Sequence, residues 1–277
     1  MPQPPIVITG ASTGMGKAAA LQLAHAGHPL VLILREGQKG RDAHAEIVQR
    51  SGNRAVELEP ADLSSQAEIH RAVDHILQKH NRIGVLLNNA GAEFKQRQLS
   101  VDGIEMTFAV NQMAPFLLTH LFYNALKAHG AARVVTTASS LQFPFDLADY
   151  NREKSYDGIK VYGQSKLANI QFTLALARRL EGTGITANCL APGIVRTELF
   201  RQSRGINGLV FGPLGRLFMD SPDKAARKIV RLALDPTLDK VSGIYFAKDR
   251  PAKAIPAAYD EEASHGLWRL CERLGGL

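Results

Sequence analysis

The sequence predicts a single doubly wound α/β domain spanning residues 1–277, in which a parallel sheet of about seven strands carries helices on both faces. Three observations predict this fold class: short apolar runs alternate with helical stretches, the runs are apolar at almost every position, and 277 residues fit one domain of this type. Strands of a parallel sheet are buried on both faces, so they read as continuous apolar runs rather than as alternating ones.

Each element follows from its local pattern. Apolar runs predict strands at Ile6–Thr9, Leu30–Leu34, Ala55–Glu59, Val85–Leu87, Arg133–Thr137, Ile185–Leu190 and Gly243–Phe246. Apolar residues at helical spacing predict helices at Gly16–His25, Asp42–Arg50, Gln66–His80 and Ser165–Leu180. In the third helix Ile69, Val73 and Ile76 lie on one side, as expected of a helix packed against a sheet.

Two long stretches interrupt this alternation. Residues 142–160 are polar and aromatic, and they predict an insertion before the helix at Ser165. Residues 196–220 contain four glycines among apolar side chains. Long irregular segments in a compact domain are usually functional, and the second stretch is too apolar for a solvated linker. It predicts a mobile lid over an apolar pocket, with a plain surface insertion as the alternative.

The composition excludes several classes of protein. The chain has 33 Lys and Arg against 26 Asp and Glu, a formal charge of +7, but the basic residues are scattered, which argues against nucleic-acid binding. Cys189 and Cys271 provide neither a disulfide framework nor metal-ligand spacing, so we expect no metal and a reducing compartment. No apolar run reaches the roughly 18 residues of a membrane-spanning helix, and no leader precedes Ile6. We therefore expect a cytoplasmic protein without a transmembrane segment.

A glycine-rich turn follows the first strand and precedes the first helix. It contains Gly10, Ser12, Thr13, Gly14, Met15 and Gly16. Glycines allow a tight turn and a close approach to a pyrophosphate, and the helix that follows offers unpaired N–H groups and a positive dipole end. The turn predicts a dinucleotide site; an ordinary helix-entry loop is the alternative.

The end of the second strand indicates which dinucleotide binds. A cofactor without a 2′-phosphate is usually held there by an acidic side chain that accepts hydrogen bonds from the ribose hydroxyls. Here the strand ends in Leu34 followed by Arg35, whose guanidinium can bind a 2′-phosphate bidentately. The sequence therefore favours NADP(H) over NAD(H), although the neighbouring Glu36 argues in the other direction.

Tyrosine and lysine four residues apart lie on one face of a helix, where the lysine ammonium can stabilise a phenolate. The spacing occurs three times, as Tyr150/Lys154, Tyr156/Lys160 and Tyr162/Lys166. The first two pairs lie in the insertion, whereas the third opens the strongest predicted helix, which gives it a rigid support. We interpret Tyr162 as an acid/base candidate, with a buried core tyrosine as the alternative.

Taken in chain order, these motifs resemble those of the short-chain dehydrogenase/reductase family over essentially the whole chain. The matching motifs are Thr9-Gly10-x-x-x-Gly14-x-Gly16, Asp62-Leu63, Asn88-Asn89-Ala90-Gly91, Asn111, Ser139-Ser140, Tyr162-x-x-x-Lys166 and Pro192-Gly193-x-x-x-Thr197. The resemblance implies a Rossmann fold and a nicotinamide dinucleotide bound by the glycine turn together with Arg35, Asp62, Leu63, Asn89, Ala90, Gly91, Tyr162, Lys166, Pro192, Gly193, Val195 and Thr197.

The resemblance also implies a role for each of four catalytic candidates. Tyr162 is the general acid in carbonyl reduction, and Lys166 lowers its pKa and bonds the nicotinamide ribose. Ser140, the second serine of its pair, polarises the substrate carbonyl; a plain strand end at Ser139 and Ser140 is the alternative. Asn111 holds a water that connects Lys166 to solvent, or it is a buried amide that braces its helix.

Within this family the chain resembles the retinol dehydrogenase-like, or WW-domain oxidoreductase-like, branch. The resemblance rests on the insertion, on Gln164-Ser165-Lys166-Leu167-Ala168-Asn169 and on Val241-Ser242-Gly243-x-Tyr245-Phe246 with a C-terminal helix containing Trp268. No N-terminal hydrophobic anchor is visible, which places membrane attachment and retinoid turnover in doubt. The apolar stripe around Trp268 predicts domain packing or a subunit contact, with membrane-surface binding as the alternative.

The resulting expectation is an NADP(H)-dependent enzyme that interconverts a ketone or aldehyde and an alcohol on a fairly large apolar substrate. A tailoring ketoreductase for a polyketide- or steroid-like intermediate would use the same residues. A dinucleotide-sensing interaction protein without turnover is the rival from another class, and a basic lipid- or nucleic-acid-binding module is a distant fourth. The family resemblance implies a homodimer or homotetramer formed through helices near Asn111–Ala128 and Ser165–Leu180.

Overall fold

The computed structural model describes residues 3–193 and 220–277 and is built around an eight-stranded sheet of order β3-β2-β1-β4-β5-β6-β7-β8. The strands are β1 Ile6–Thr9, β2 Leu30–Leu34, β3 Val56–Pro60, β4 Val85–Asn88, β5 Arg133–Thr137, β6 Thr186–Ala191, β7 Tyr245–Ala247 and β8 Arg250–Pro251. The first seven pair in parallel, and β8 is antiparallel to β7. This arrangement confirms the predicted α/β class and its parallel sheet.

The sheet has eight strands where the sequence predicts about seven, and the additional strand is β8. It consists of the exposed Arg250 and Pro251, which pair with β7 across a tight turn containing Lys248 at φ 61°. Two exposed residues produce no apolar run, so sequence periodicity cannot reveal such a strand. The seven predicted strands are present; β1, β2 and β5 have the predicted bounds, and the bounds of the other four differ by one or two residues.

Helices cover both faces of the sheet. They are α1 Gly14–His25, α2 Gln38–Ser51, α3 Gln66–Lys79, α4 Met106–Phe108, α5 Ala114–Leu121, α6 Tyr123–His129, α7 Gly158–Arg179, α8 Pro222–Leu234 and α9 Glu261–Gly275. A π-helical turn, Ala109–Met113, joins α4 to α5, and short 3₁₀ turns occur at Pro236–Leu238 and Pro256–Tyr259. The core on one face includes residues of α1, α2 and α8, and the core on the other includes residues of α3, α5 and α7.

The helix that carries Tyr162 begins earlier than the sequence predicts. It starts at Gly158 rather than Ser165, because the Asp157 carboxylate caps it by accepting hydrogen bonds from the Ile159 and Lys160 amides. Gly158 is the first residue of this helix. A Cβ at this position would overlap the Phe94 carbonyl oxygen, so the close approach of that loop requires glycine.

The last helix forms an outer layer over α5 and α7. The Trp268 ring lies 5.1 Å from the Phe116 ring and 5.9 Å from the Phe172 ring, and Leu267 and Cys271 are buried beneath it. This packing confirms the domain-packing interpretation of the Trp268 stripe. It also covers part of the helices on which the family resemblance implies a subunit contact, so an interface there needs surface that α9 leaves exposed.

The two predicted irregular segments have different outcomes. Of the predicted insertion at 142–160, residues 142–157 contain no helix or strand and pack against the core through Phe145 and Tyr150, whereas residues 158–160 begin α7. Of the predicted lid at 196–220, residues 196–219 lie outside the described residues. Within residues 3–193 and 220–277, no helix is both long enough and apolar enough to cross a bilayer.

Candidate active site

The carboxyl ends of the parallel strands meet at one edge of the sheet, and the strand order reverses between β1 and β4. In open α/β sheets this reversal leaves a crevice outside the strand ends, where ligands bind. The glycine turn follows β1, Asn89 follows β4, Ser139 follows β5 and Pro192 follows β6. The residues that follow these four strands therefore lie around one crevice.

The glycine turn is packed so closely that side chains cannot be added to it. Gly10 has φ +71°, and a Cβ on it would lie 2.7 Å from the Ala90 Cα. A Cβ on Gly16 would overlap both the Asn89 amide nitrogen and the Gly10 carbonyl oxygen. Thr13 precedes α1 without capping it through its side chain, so the helix N-terminus keeps donors for an anion. These features fit a dinucleotide pyrophosphate.

Thr9 and Asn89 join this turn to β4, and the sequence interpretation did not assign a role to Thr9. The Thr9 hydroxyl accepts hydrogen bonds from the Asn89 and Ala90 amides at 3.1 and 3.0 Å, and the Asn89 side chain donates to the Thr9 carbonyl at 3.0 Å. These bonds hold the ends of two adjacent strands in register. A polar residue closing an otherwise apolar strand is the sequence signal that could have identified Thr9.

The predicted adenine side of the crevice is more open. Arg35 and Glu36 are both exposed after β2, so the guanidinium is accessible to a ligand. Asp62 accepts hydrogen bonds at Oδ1 from the Ser64 amide and hydroxyl, at 2.9 and 2.7 Å, while Leu63 packs against the core. The Asp62 carboxylate is therefore partly committed to its own turn.

Lys166 is a buried cation beside Tyr162. Its side chain is 3% exposed, and its Nζ donates to the Thr137 carbonyl at 2.8 Å and to the Asn169 side chain at 3.3 Å. Burial lowers the pKa of Lys166 from 10.5 to about 8. A Cβ on Gly91 would lie 3.3 Å from this nitrogen, so the glycine leaves room for the ammonium at the strand edge.

Tyr162 lies one helical turn before Lys166, with the lysine nitrogen 5.6 Å from its ring centre. Burial raises the pKa of Tyr162 to about 12, a hydrogen bond with the Ser139 side chain opposes that rise, and the Glu93 carboxylate adds to it. The sequence predicted that Lys166 would lower this pKa. In the structure desolvation of the phenolate is the largest effect on the pKa, and the lysine donates its hydrogen bonds elsewhere.

The two serines differ in position. Ser139 bonds the Tyr162 hydroxyl and is partly buried, whereas Ser140, the predicted catalytic serine, is exposed. The pair follows β5, which ends at Thr137. Because neither serine belongs to the strand, strand alternation does not determine where their side chains point, and the sequence motif could not decide which one contacts Tyr162.

Asn111 lies in the π-helical turn, a feature often found at functional sites. Its side chain accepts from the Ala92 amide at 2.8 Å and donates to the Ala92 carbonyl and the Ser165 hydroxyl, both at 2.9 Å. Its own carbonyl accepts from the Asn169 side chain. Asn111 thus braces the loop after β4 against α7, and Asn169 connects it to Lys166.

The other two Tyr–Lys pairs belong to the packing of the insertion. The Tyr156 hydroxyl donates towards the Phe94 carbonyl at 3.0 Å and a Glu105 carboxylate oxygen at 3.1 Å, and Tyr150 packs against Phe108. Glu105 is fully buried and also accepts from the Thr107 and Phe108 amides at 2.9 and 2.8 Å. No local pattern indicates this buried carboxylate, because its bond with Tyr156 joins residues 51 positions apart.

The segment after β6 contains the remaining predicted cofactor residues. Gly193 has φ +98°, a conformation that favours glycine. Val195 and Thr197 lie outside the described residues.

Comparisons with known proteins agree with this geometry. A family profile described as short chain dehydrogenase matches residues 5–206. The human protein named Retinol dehydrogenase 13 is 37% identical over 285 residues, covering 100% of this chain and 86% of that protein.

Two solved structures are also similar. An uncharacterized protein from Mycobacterium paratuberculosis has a TM-score of 0.79 and 28% identity over 99% of this chain and 94% of that one. A blue fluorescent protein from a metagenomic library, solved in complex with NADPH, has a TM-score of 0.71 and 25% identity over 89% and 96% of the two chains. The chain therefore belongs to the short-chain dehydrogenase/reductase family, as a retinol dehydrogenase-like oxidoreductase of CH–OH groups.

Proposed function

We propose that this protein is an NADP(H)-dependent oxidoreductase that interconverts a ketone or aldehyde and an alcohol on a fairly large apolar substrate. The observation that carries the proposal is the convergence of Tyr162, Lys166 and Ser139 at the sheet edge that also holds the glycine turn. Burying a cation and a phenol together is costly, so their retention supports turnover over a dinucleotide sensor.

The cofactor supplies the hydride when it is bound, and the chain supplies position and a proton. The uncapped start of α1 would hold the pyrophosphate, and Arg35 would hold the 2′-phosphate. Tyr162 stays protonated at neutral pH because its pKa is about 12, and it donates its proton to the carbonyl oxygen during reduction. Lys166 would hold a ribose hydroxyl of the cofactor, and Asn111 connects Lys166 through Asn169 to the loop after β4.

The carbonyl-polarising hydroxyl is assigned to Ser140 on the motif match, and Ser139 is the alternative favoured by its hydrogen bond with Tyr162. Single Ser139→Ala and Ser140→Ala variants distinguish them, because loss of the polarising donor lowers kcat by about 10²-fold or more. The variant that keeps its kcat identifies the serine that only ends the strand.

The NADP(H) preference rests on the exposed Arg35 after β2 and is supported by the NADPH complex of the metagenomic relative. The test is a fluorescence titration of the protein with NADPH and NADH, with Arg35→Ala and Arg35→Asp beside wild type. We expect tighter binding of NADPH and loss of the preference in both variants. Arg54→Ala, an exposed arginine at the opposite edge, is the matched control and should change neither affinity.

Equal NADH and NADPH affinity would contradict the assignment of Arg35, and binding of neither would contradict the enzyme itself. A panel of carbonyl substrates then tests turnover, with Tyr162→Phe expected to lose nearly all activity while still binding NADPH. The apolar substrate is supported by the name of the retinol dehydrogenase relative; a polyketide- or steroid-like intermediate stays the second candidate within that panel. Assembly as a homodimer or homotetramer and a cytoplasmic location stay predictions.

A further inference from the structure

Lys228 is, after Lys166, the second buried lysine of the described residues, and no catalytic motif includes it. It lies on α8, its side chain is 6% exposed, and its ammonium donates to the Pro192 carbonyl at 2.6 Å and to an Asp220 carboxylate oxygen at 2.5 Å. A buried charge is tolerated in a protein only when its partners replace water well. The two partners are the first residue after β6 and the residue immediately before the cap of α8.

The Pro192 carbonyl lies just beyond the end of the β6–β7 pairing. The β6–β7 pairing ends at Ala191, whose carbonyl accepts from the Lys248 amide at 2.9 Å. The next carbonyl along the chain, that of Pro192, accepts from Lys228 instead. The Lys228 ammonium thus supplies the hydrogen bond that a neighbouring strand would otherwise donate to this carbonyl. It holds the backbone in place for one residue beyond the end of β6.

Holding this oxygen also fixes the next amide. The Pro192 carbonyl and the Gly193 N–H belong to one planar peptide group and point in opposite directions. Since Lys228 holds the oxygen on one side, the Gly193 N–H faces the other. Gly193 has φ +98°, and a Cβ on it would lie 3.5 Å from the Asp220 carboxylate, so the lysine–aspartate pair also packs against the inside of the turn.

The helix that carries Lys228 connects this turn to the glycine turn. Ala225 and Ala226 of α8 are fully buried, and the Gln22 side chain of α1 donates to the Asp223 carbonyl of α8 at 3.1 Å. The cap of α8 is closed by Ser221, whose hydroxyl accepts from the Lys224 amide. Lys228 therefore connects the Pro192–Gly193 turn to α8, and α8 contacts α1, the helix that begins at the proposed pyrophosphate site.

The turn follows β6, which pairs with β5 and lies on the opposite side of β1 and β4 from β2 and Arg35, so it belongs to the half of the crevice that contains Tyr162. We propose that Lys228 is a positioning residue for the nicotinamide end of the bound cofactor, acting through the Pro192–Gly193 peptide group; this inference rests on the proposed function. Asp220 keeps the ammonium in place, and the hydrogen bonds from Lys224 and Lys228 hold the pKa of Asp220 below its usual range. Lys224 bonds the other oxygen of the same carboxylate at 2.8 Å but is 59% exposed and does not bond Pro192, which makes it the matched control.

The test compares Lys228→Met, Lys228→Arg and Lys224→Met with wild type. The ligands are NADPH and 2′-phospho-ADP-ribose, which has the adenine, both ribose rings and the phosphates but no nicotinamide. We expect Lys228→Met to weaken the binding of NADPH about tenfold, as for one lost charged hydrogen bond. The affinity for 2′-phospho-ADP-ribose should stay within about twofold of wild type. Lys228→Arg, which can still bridge the carbonyl and the carboxylate, should restore most of the affinity, and Lys224→Met should behave as wild type.

Two results would overturn the inference alone: unchanged NADPH affinity in Lys228→Met, or equal weakening of both ligands, which indicates a general loss of structure. The thermal unfolding of each variant is measured beside the titrations. If Lys228→Met folds poorly, Lys228→Arg still tests the inference, because a folded arginine variant should bind NADPH almost as tightly as wild type. Failure of wild type to bind either ligand would overturn the proposed function, and this inference with it.

Discussion

The two sides of the crevice are built in different ways. On the cofactor side, the turn after β1 and the loop after β4 meet through backbone groups, with glycines where a Cβ would overlap and one threonine hydroxyl between them. On the other side, residues 141–157 have no regular structure and are held by side chains such as Glu105, Tyr156 and Arg152. A site formed by closely packed backbone requires glycines at set positions and is therefore recognisable as a sequence motif. A site held by side chains that are distant in the sequence has no such motif.

From this contrast we expect substitutions on the cofactor side to have the largest effect on binding and stability. Gly16→Ala places a methyl group on the Asn89 amide and the Gly10 carbonyl, and neither can move without opening the turn. We expect NADPH binding to fall by more than about 100-fold and the melting temperature to fall with it. Gly84→Ala is the control, since its Cβ would meet nothing nearer than 3.6 Å. Normal binding by Gly16→Ala would show that the turn is not rigid.

An intermediate effect is expected at Lys166, where the two sides meet. Lys166→Met should abolish turnover. It should also change the pH dependence of stability, because burial lowers the pKa of this lysine from 10.5 to about 8. Between these pH values the unfolded chain binds more protons than the folded one, so wild type gains stability as pH rises. The full gain is on the order of 3 kcal/mol.

Thermal melts of both proteins at pH 7 and pH 10 measure this effect. The melting temperature of wild type minus that of Lys166→Met should increase over this interval, and the subtraction cancels the contribution of other titrating groups. A difference that does not change with pH would contradict the buried, cationic Lys166 described here.

The smallest effect is expected on the insertion side. Tyr156→Phe removes hydrogen bonds to the Phe94 carbonyl and to the buried Glu105. Because Glu105 keeps the Thr107 and Phe108 amides as donors, we expect a loss of only about 1 kcal/mol in the free energy of unfolding. Denaturant melts measure it. Activity at saturating substrate should stay near wild type, in contrast to Tyr162→Phe; a comparable loss of activity in both variants would mean that Tyr156 also acts in the reaction.

The strands and the glycine turn could be predicted from the sequence because their signals are local. An apolar run identifies a buried strand wherever it pairs, and the glycines of the turn are recognised by their spacing between a strand and a helix, although the atoms that exclude a Cβ at Gly10 and Gly16 include those of the distant Ala90 and Asn89. The beginning of α7 could not be predicted, because Gly158 is explained only by the Phe94 carbonyl that approaches it. Glu105 and Thr9 were missed for a related reason: their partners lie on other elements, 51 residues away for Tyr156 and 80 for Asn89.

The position of α9 has a consequence for how the chain is made. Its tail is tied to the middle of the protein, since the Gln66 side chain donates to the Leu274 carbonyl across 208 residues. Synthesis proceeds from the N-terminus, so β1–β6 and the helices that carry Phe116 and Phe172 leave the ribosome before residues 261–275. Until those residues emerge, the rings of Phe116 and Phe172 lack the Trp268 cover. The nascent protein therefore exposes an aromatic patch that the finished one hides.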